Sequence, residues 1–319
     1  MSKPDDSSLT DEQAAAVRRA AVELLNEGSG WDRLPTPVSD LLDAAKLRTA
    51  PMSAFDHGLI ERYARQFGGM AKRFLKAALD KVLGVLDVIG NIVHVDPSVS
   101  KEKQNFLKLH ETGHSQLPHQ RGVFRWIQEC RKTLDPETSD LFEREANNFA
   151  SIVLFQDTRF AAMTADSAFG IRVPLAVGRR FGASAYASIR EYVRKSTKAC
   201  AVVVLDPPQI CAEKGLTASV RRIGLSPEFV RRFGNLTLPD NVTDETALAP
   251  FIPVGGRRMS RPGTFSLQDR NGISHEFIGE GFGTPYNVFI LLHASATLNK
   301  ATIILPAAFQ PRTPDDRLV

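Results

Sequence analysis

Lys108-Leu109-His110-Glu111-Thr112-Gly113-His114-Ser115-Gln116-Leu117 is the stretch on which the reading of this chain turns. Residues four apart lie on one face of an α-helix, so His110 and His114 can present two imidazoles to one cation. Glu111, one position round, can reach a water beside them. A zinc ion held in this way needs a third protein ligand and one open position. There its charge lowers the pKa of water to about 7, and Glu111 can take the proton. With only seven histidines in the chain, an accidental HExxH is expected on the order of once per hundred chains of this length.

The third ligand decides the subclass. The extended HExxHxxGxxH form needs Gly and His where this chain has Leu117 and Gln120, so that form is excluded. His119 misses the place by one residue, and Pro118 is expected to end the helix before it. It reads as a surface or substrate-side histidine. The segment from Ser139 to Phe155 has Leu141, Phe142, Ala146, Phe149, Ala150 and Val153 at helical spacing and carries Glu143 and Glu145. Either would complete the two-His, one-Glu set of open catalytic zinc sites. Glu143 is preferred because it shares its helical face with Asn147, which could hydrogen-bond a ligand, whereas Glu145 shares its face with Phe149.

Working outward, Leu83–Val88 and Ile92–Asp96 have β-branched content around Gly90-Asn91, which predicts a hairpin leading into the metal helix. An extended peptide could pair with such a strand edge beside the metal. Upstream, Thr10-Asp11-Glu12-Gln13 starts a helix that Gly28-Ser29-Gly30 ends, and two more are expected over 37–47 and 57–83. Downstream, Val173 to Lys195 holds two helical patterns broken at Phe181-Gly182-Ala183-Ser184. From Cys200-Ala201-Val202-Val203-Val204-Leu205 onward the chain turns strand-rich, with apolar runs at 286–292 and 301–305.

The expected organisation is therefore a disordered start (1–9), a metal-binding core (10–160), a helix-turn-helix-like segment (161–198), a strand-rich domain (199–310) and a mobile tail (311–319). At 43% hydrophobic content the chain can bury a full core. No apolar run approaches the roughly 18 residues of a membrane span, and the N-terminus lacks a secretory signal, so a cytoplasmic protein without membrane attachment is expected. Cys130, Cys200 and Cys211 form no CxxC pair and read as reduced and structural. The net charge of +4 is modest, and the doublets Arg179-Arg180, Arg221-Arg222, Arg231-Arg232 and Arg257-Arg258 read as solvated surface. His275, Glu276 and His293 lack ligand spacing and read as satisfied residues.

His110-Glu111-Thr112-Gly113-His114 followed by Glu143-x-Glu145-Ala146-Asn147-x-Phe149-Ala150 resembles the ImmA/IrrE metallopeptidases, over about residues 10–198. Leu175-Ala176-x-x-x-x-Phe181-Gly182-x-Ser184 is similar to the helix-turn-helix-like segment that follows the core in such proteins. The resemblance implies an α+β fold with a mainly helical, zincin-like core carrying a small sheet, followed by the helix-turn-helix-like segment and a strand-rich α/β C-terminal domain, a counterpart of the sensor-like domain of the family's radiation-response members. It implies a zinc endopeptidase that cuts a helix-turn-helix repressor and so releases genes for stress response or element transfer. Carried over by motif, His110, His114 and Glu143 are ligands and Glu111 is the base, with Glu145, Asn147 and His119 as supporting or alternative groups. Ser115-Gln116-Leu117-Pro118 and Val153-Leu154-Phe155-Gln156 depart from the family pattern. The competing expectation is a DNA-binding or repressor-sequestering regulator acting through Val173–Lys195. It is disfavoured because Ser184–Arg190 offers few base-reading side chains.

Overall fold

The computed structural model describes residues 8–50, 84–130, 135–211, 215–254, 258–269 and 271–294. The helix expected over 57–83, the run at 301–305, Arg257, most of the N-terminal segment and the tail lie outside them.

Helix α1 (Asp11–Glu27) begins where the sequence predicts, with Thr10 and Gln13 forming a reciprocal capping box. Its buried Val17, Ala21, Leu24 and Leu25 form a stripe against α5 (Pro136–Leu154). Burying a Val or Leu is worth roughly 1.5–3 kcal/mol, so this stripe outweighs the ~1 kcal/mol of the cap in holding the helix. Helix α2 (Val38–Ala44) follows. A three-stranded sheet is ordered β1 (Arg48–Thr49), β3 (Ile92–Val95), β2 (Gly84–Asp87), with β2 and β3 as the expected hairpin. Its turn is built by the Asp87 carboxylate, which accepts from the N–H groups of Ile89 and Gly90, and by Asn91 at φ 52°.

Ser100 caps α3 (Lys101–Gln116), and Asp135 caps α5, whose first residue is Pro136. The two helices lie in close contact. A Cβ at Gly113 would stand 3.2 Å from Phe149 Cβ and 3.3 Å from Ala146 Cα, so any larger residue would push the helices apart by a few tenths of an ångström. Between them, Pro118 does more than end α3. It forces Leu117 into extended backbone (ψ 110°) and then opens α4 (Pro118–Cys130), where its missing N–H costs nothing. His119 is therefore helical.

After α6 (Arg159–Ala165), α7 (Arg172–Phe181) and α8 (Ala185–Arg194) are joined at Gly182 (φ 72°), with Ser184 as the cap of α8. A Cβ at Gly178 would meet Ser188, so α8 is pressed onto α7. On its other side α8 lies on β4 (Cys200–Leu205) and β6 (Gly215–Leu225). None of its ten residues is exposed.

The second sheet is antiparallel throughout and runs β5 (Gln209–Cys211), β6, β4, β10 (Val288–Ala294), β9 (Ser274–Gly283), β8 (Gly263–Gln268), with β7 (Asn241–Thr243) also on β6. The last described strand, β10, is inserted between β4 and β9. One face of the sheet, with Cys200, Val202, Val204, Phe289 and Leu291, joins the core formed by the helices. The other, with Ala201, Val203, Leu205, Phe277 and Ile290, packs under Phe229 and Phe233 of α9 (Pro227–Phe233) and under Phe251. Burial on both faces is why β4 is apolar at every position.

The architecture is α+β: helices and a small sheet first, then an antiparallel sheet. Arg222, expected on the solvated surface, is buried on β6, because alternate residues of that strand face the core. No helix among the described residues is long and apolar enough to cross a membrane.

Candidate metal centre

The α3–α5 contact brings together three side chains that lie far apart in sequence. His110 Nε2 is 3.2 Å from His114 Nε2 and 3.3 Å from Glu143 Oε2, and His114 Nε2 is 3.6 Å from Glu143 Oε1. The donor atoms of these three all lie within 4.8 Å of one another. Both histidines are buried at the C-terminal end of α3, whereas the Glu143 side chain is about half exposed.

Each imidazole is held from behind. His110 Nδ1 lies 3.1 Å from Asn147 Oδ1, one turn along α5 from Glu143. His114 Nδ1 lies 2.6 Å from Gln120 Oε1. An amide oxygen can only accept, so each Nδ1 carries a proton and each neutral ring directs its Nε2 lone pair at the other and at a carboxylate. Two lone pairs and an anion converging on one place repel unless something positive lies among them. The donor set, two imidazole nitrogens and one carboxylate oxygen, fits a divalent cation of the zinc type.

The electrostatics agree. Burial alone would push His110 down, but its hydrogen bond to Glu143 and the charges of Glu111 and Glu143 outweigh it, and its pKa stands above the ordinary histidine value. Burial and the neighbouring His110 charge bring His114 down to about 4. For Glu143, burial would raise the pKa, but the His110 hydrogen bond and the charges of both histidines hold it below the usual carboxylate value. Glu143 and Glu111 thus make His110 the imidazole of the pair that holds a proton more readily, and His114 the one that gives it up.

Glu111 is buried beside this cluster, and burial, reinforced by the Glu143 charge, lifts its pKa to about 7. The backbone N–H of Leu86 on β2 donates to its carboxylate and partly opposes that rise. The hairpin therefore reaches the site directly, through a main-chain contact that no residue-type pattern reveals.

Glu145, the alternative ligand from the sequence, points elsewhere. Buried at 4% exposure, it accepts from Gln120 Nε2 and lies 2.6 Å from His119 Nε2. His119 is half exposed and stacks edge-on to Phe142. Gln120 was missed as a site residue. Its only sequence signal is a polar residue in the first turn of a helix that starts at a proline.

Other titratable groups remain apart. His275 pairs with Asp269 at 3.0 Å against the Phe233 ring, and His293 is seated edge-on to Phe169. Cys200 is a free, buried thiol.

Residues 60–188 match the Peptidase_M78 family, described as the IrrE N-terminal-like domain. The resemblance to the ImmA/IrrE metallopeptidases thus holds over a segment that includes His110, Glu111, His114 and Glu143 and ends within α8. A peptidase with a protein substrate is what the M78 match suggests for the chain. Among solved structures, a Mycobacterium tuberculosis transcriptional regulator aligns at 14% identity and a TM-score of 0.46, over 92% of this chain and 82% of that one. No curated protein is significantly similar to the chain.

Proposed function

We propose that this protein is a zinc-dependent endopeptidase that performs limited, regulatory cleavage of a helix-turn-helix repressor in the cytoplasm. The observation that carries the catalytic part is the convergence of His110, His114 and Glu143 with a buried carboxylate, Glu111, directly beside them. His110, His114 and Glu143 would hold the ion. When bound, zinc supplies Lewis acidity, polarising a carbonyl and acidifying water. The Glu111 carboxylate takes a proton from the attacking water and returns it to the leaving amine, and a pKa near neutrality suits a group that must do both. Asn147 and Gln120 keep both rings in the Nδ1–H form throughout.

The repressor as substrate is supported by the family resemblance, and so are roles in stress response or element transfer. Incubating the full chain with a small helix-turn-helix protein encoded beside it, with zinc and then with chelator, tests this reading. Cleavage should occur only with metal. E111Q should keep its zinc and lose cleavage by about 10²–10⁴-fold, and cleavage by E111Q at the parent rate would sink the mechanism.

The competing reading, a DNA-binding regulator with a structural or vestigial metal site, needs α8 as a reading helix. Ser188, Ile189, Glu191, Tyr192 and Val193 of α8 are buried and the rest are half-buried, which leaves it little to place in a groove. Salt-dependent binding to duplex DNA at physiological ionic strength would restore that reading.

A further inference from the structure

The buried polar chain behind His114 runs further than the single contact that serves the reaction, and every group in it is committed. Gln120 is fully buried, in the first turn of α4. Its Nε2 donates to Glu145 Oε2 at 2.6 Å and to the carbonyl of Phe142 at 3.3 Å. Both partners can only accept, which uses the two amide protons and fixes the orientation of the amide. Its Oε1 must then face His114, 2.6 Å away, and can receive only a proton. Glu145 in turn is placed by His119 Nε2, 2.6 Å away at the solvent side of the chain.

We propose that Gln120, anchored by Glu145, is the positioning residue that sets His114 in its Nδ1–H form and holds its Nε2 lone pair toward the cation. The inference rests on the zinc reading above and deepens it. Where the excluded HExxHxxGxxH arrangement would have a third histidine ligand, this chain has Gln120. A turn forced by Leu117-Pro118 brings that position round behind the second histidine. A carboxylate acting through a neutral amide passes part of its charge to the ring while leaving the ring neutral.

The arrangement has a polarity, and polarity can be reversed. In Q120E two carboxylates would face one another at the 2.6 Å separation now occupied by a hydrogen bond. Adding E145Q restores a donor opposite that carboxylate, still with an acceptor toward His114, while the atom that now accepts from both Gln120 and His119 becomes a donor.

Zinc titration of the metal-free full chain against a chelating indicator provides the test, with melting of the metal-free protein measured in parallel. Q120A and Q120E should weaken zinc binding about 10–100-fold, and Q120E/E145Q should bind zinc more tightly than Q120E. Labelled-imidazole NMR of the metal-free parent should show His114 protonated on Nδ1. If the parent binds no zinc, the proposed function falls and this inference with it. If the parent binds zinc and the Q120 variants match its Kd while only their melting drops, Gln120 is merely structural and this inference alone is overturned. Should the variants fail to fold, His114 found protonated on Nε2 in the parent overturns it as well.

Discussion

Glu111 shows how the site works against the stability of the fold that carries it. Its pKa, lifted by burial to about 7 from an ordinary value of 4.5, means that the folded protein resists ionising this carboxyl more than the unfolded chain does. A raised folded-state pKa contributes fully below the unfolded value and is lost as pH rises through the folded one. Metal-free stability should therefore fall between about pH 4.5 and 7 by on the order of 3 kcal/mol from this group. E111Q removes the penalty. Denaturant titrations in chelator should find E111Q close to the parent at pH 4 and more stable at pH 8, and a difference that does not change with pH would refute the assignment. His110 makes a second residue-level prediction. Its raised pKa means that a bound cation must displace a proton held against Glu143. Zinc affinity should weaken as pH falls from 8 to 6, with proton release visible in calorimetry across buffers of different ionisation enthalpy.

At the scale of elements, the centre exists because α3 and α5 approach across a glycine. Gly113 lies between the two histidines of the motif, at the point where its helix meets Phe149 and Ala146. G113V would overpack that contact at a cost of about 1–3 kcal/mol. It should also separate Glu143 from His110 and His114, so zinc affinity should drop along with the denaturant midpoint. Loss of stability with unchanged zinc affinity would show that the third donor does not depend on the helix crossing. The α7–α8 pair carries a complementary lesson. Phe181-Gly182-Ala183-Ser184 was legible as a turn, but whether α8 is a reading helix or a packing helix depends on what lies against it, and here α7 packs on one side and β4 and β6 on another.

Over the whole molecule, β4 is a wall shared by two apolar layers. Val202 faces the layer continuous with α1, α3 and α5, and Val203 faces the layer under α9. A strand in both cores couples them mechanically. V202A and V203A should each cost about 2 kcal/mol, from two buried methyl groups plus a small cavity. Both should shift one common unfolding transition, as read by calorimetry and by near-UV dichroism together. Two separable transitions, each moved by one variant, would show that the sheet and the helices unfold independently.

What the sequence determined by itself is what depends on nearby residues. The spacing of His110 and His114, the capping box at Thr10, the Asp87–Asn91 turn and the uninterrupted apolar run of β4 are local consequences of helix and strand periodicity, and all could be read in advance. The preference for Glu143 over Glu145 came from the same periodicity, through the face shared with Asn147. The tertiary structure decided what depends on distant neighbours. It placed Glu145 behind Gln120 instead of at the imidazoles, brought the Leu86 N–H to Glu111, buried Arg222, and extended the helical core past residue 198 into the sheet. The metal helix that decided the reading carries two of three converging donors. The third, and the groups that aim them, are brought in by α4, α5 and β2, and only the packing of those elements determines which atoms meet.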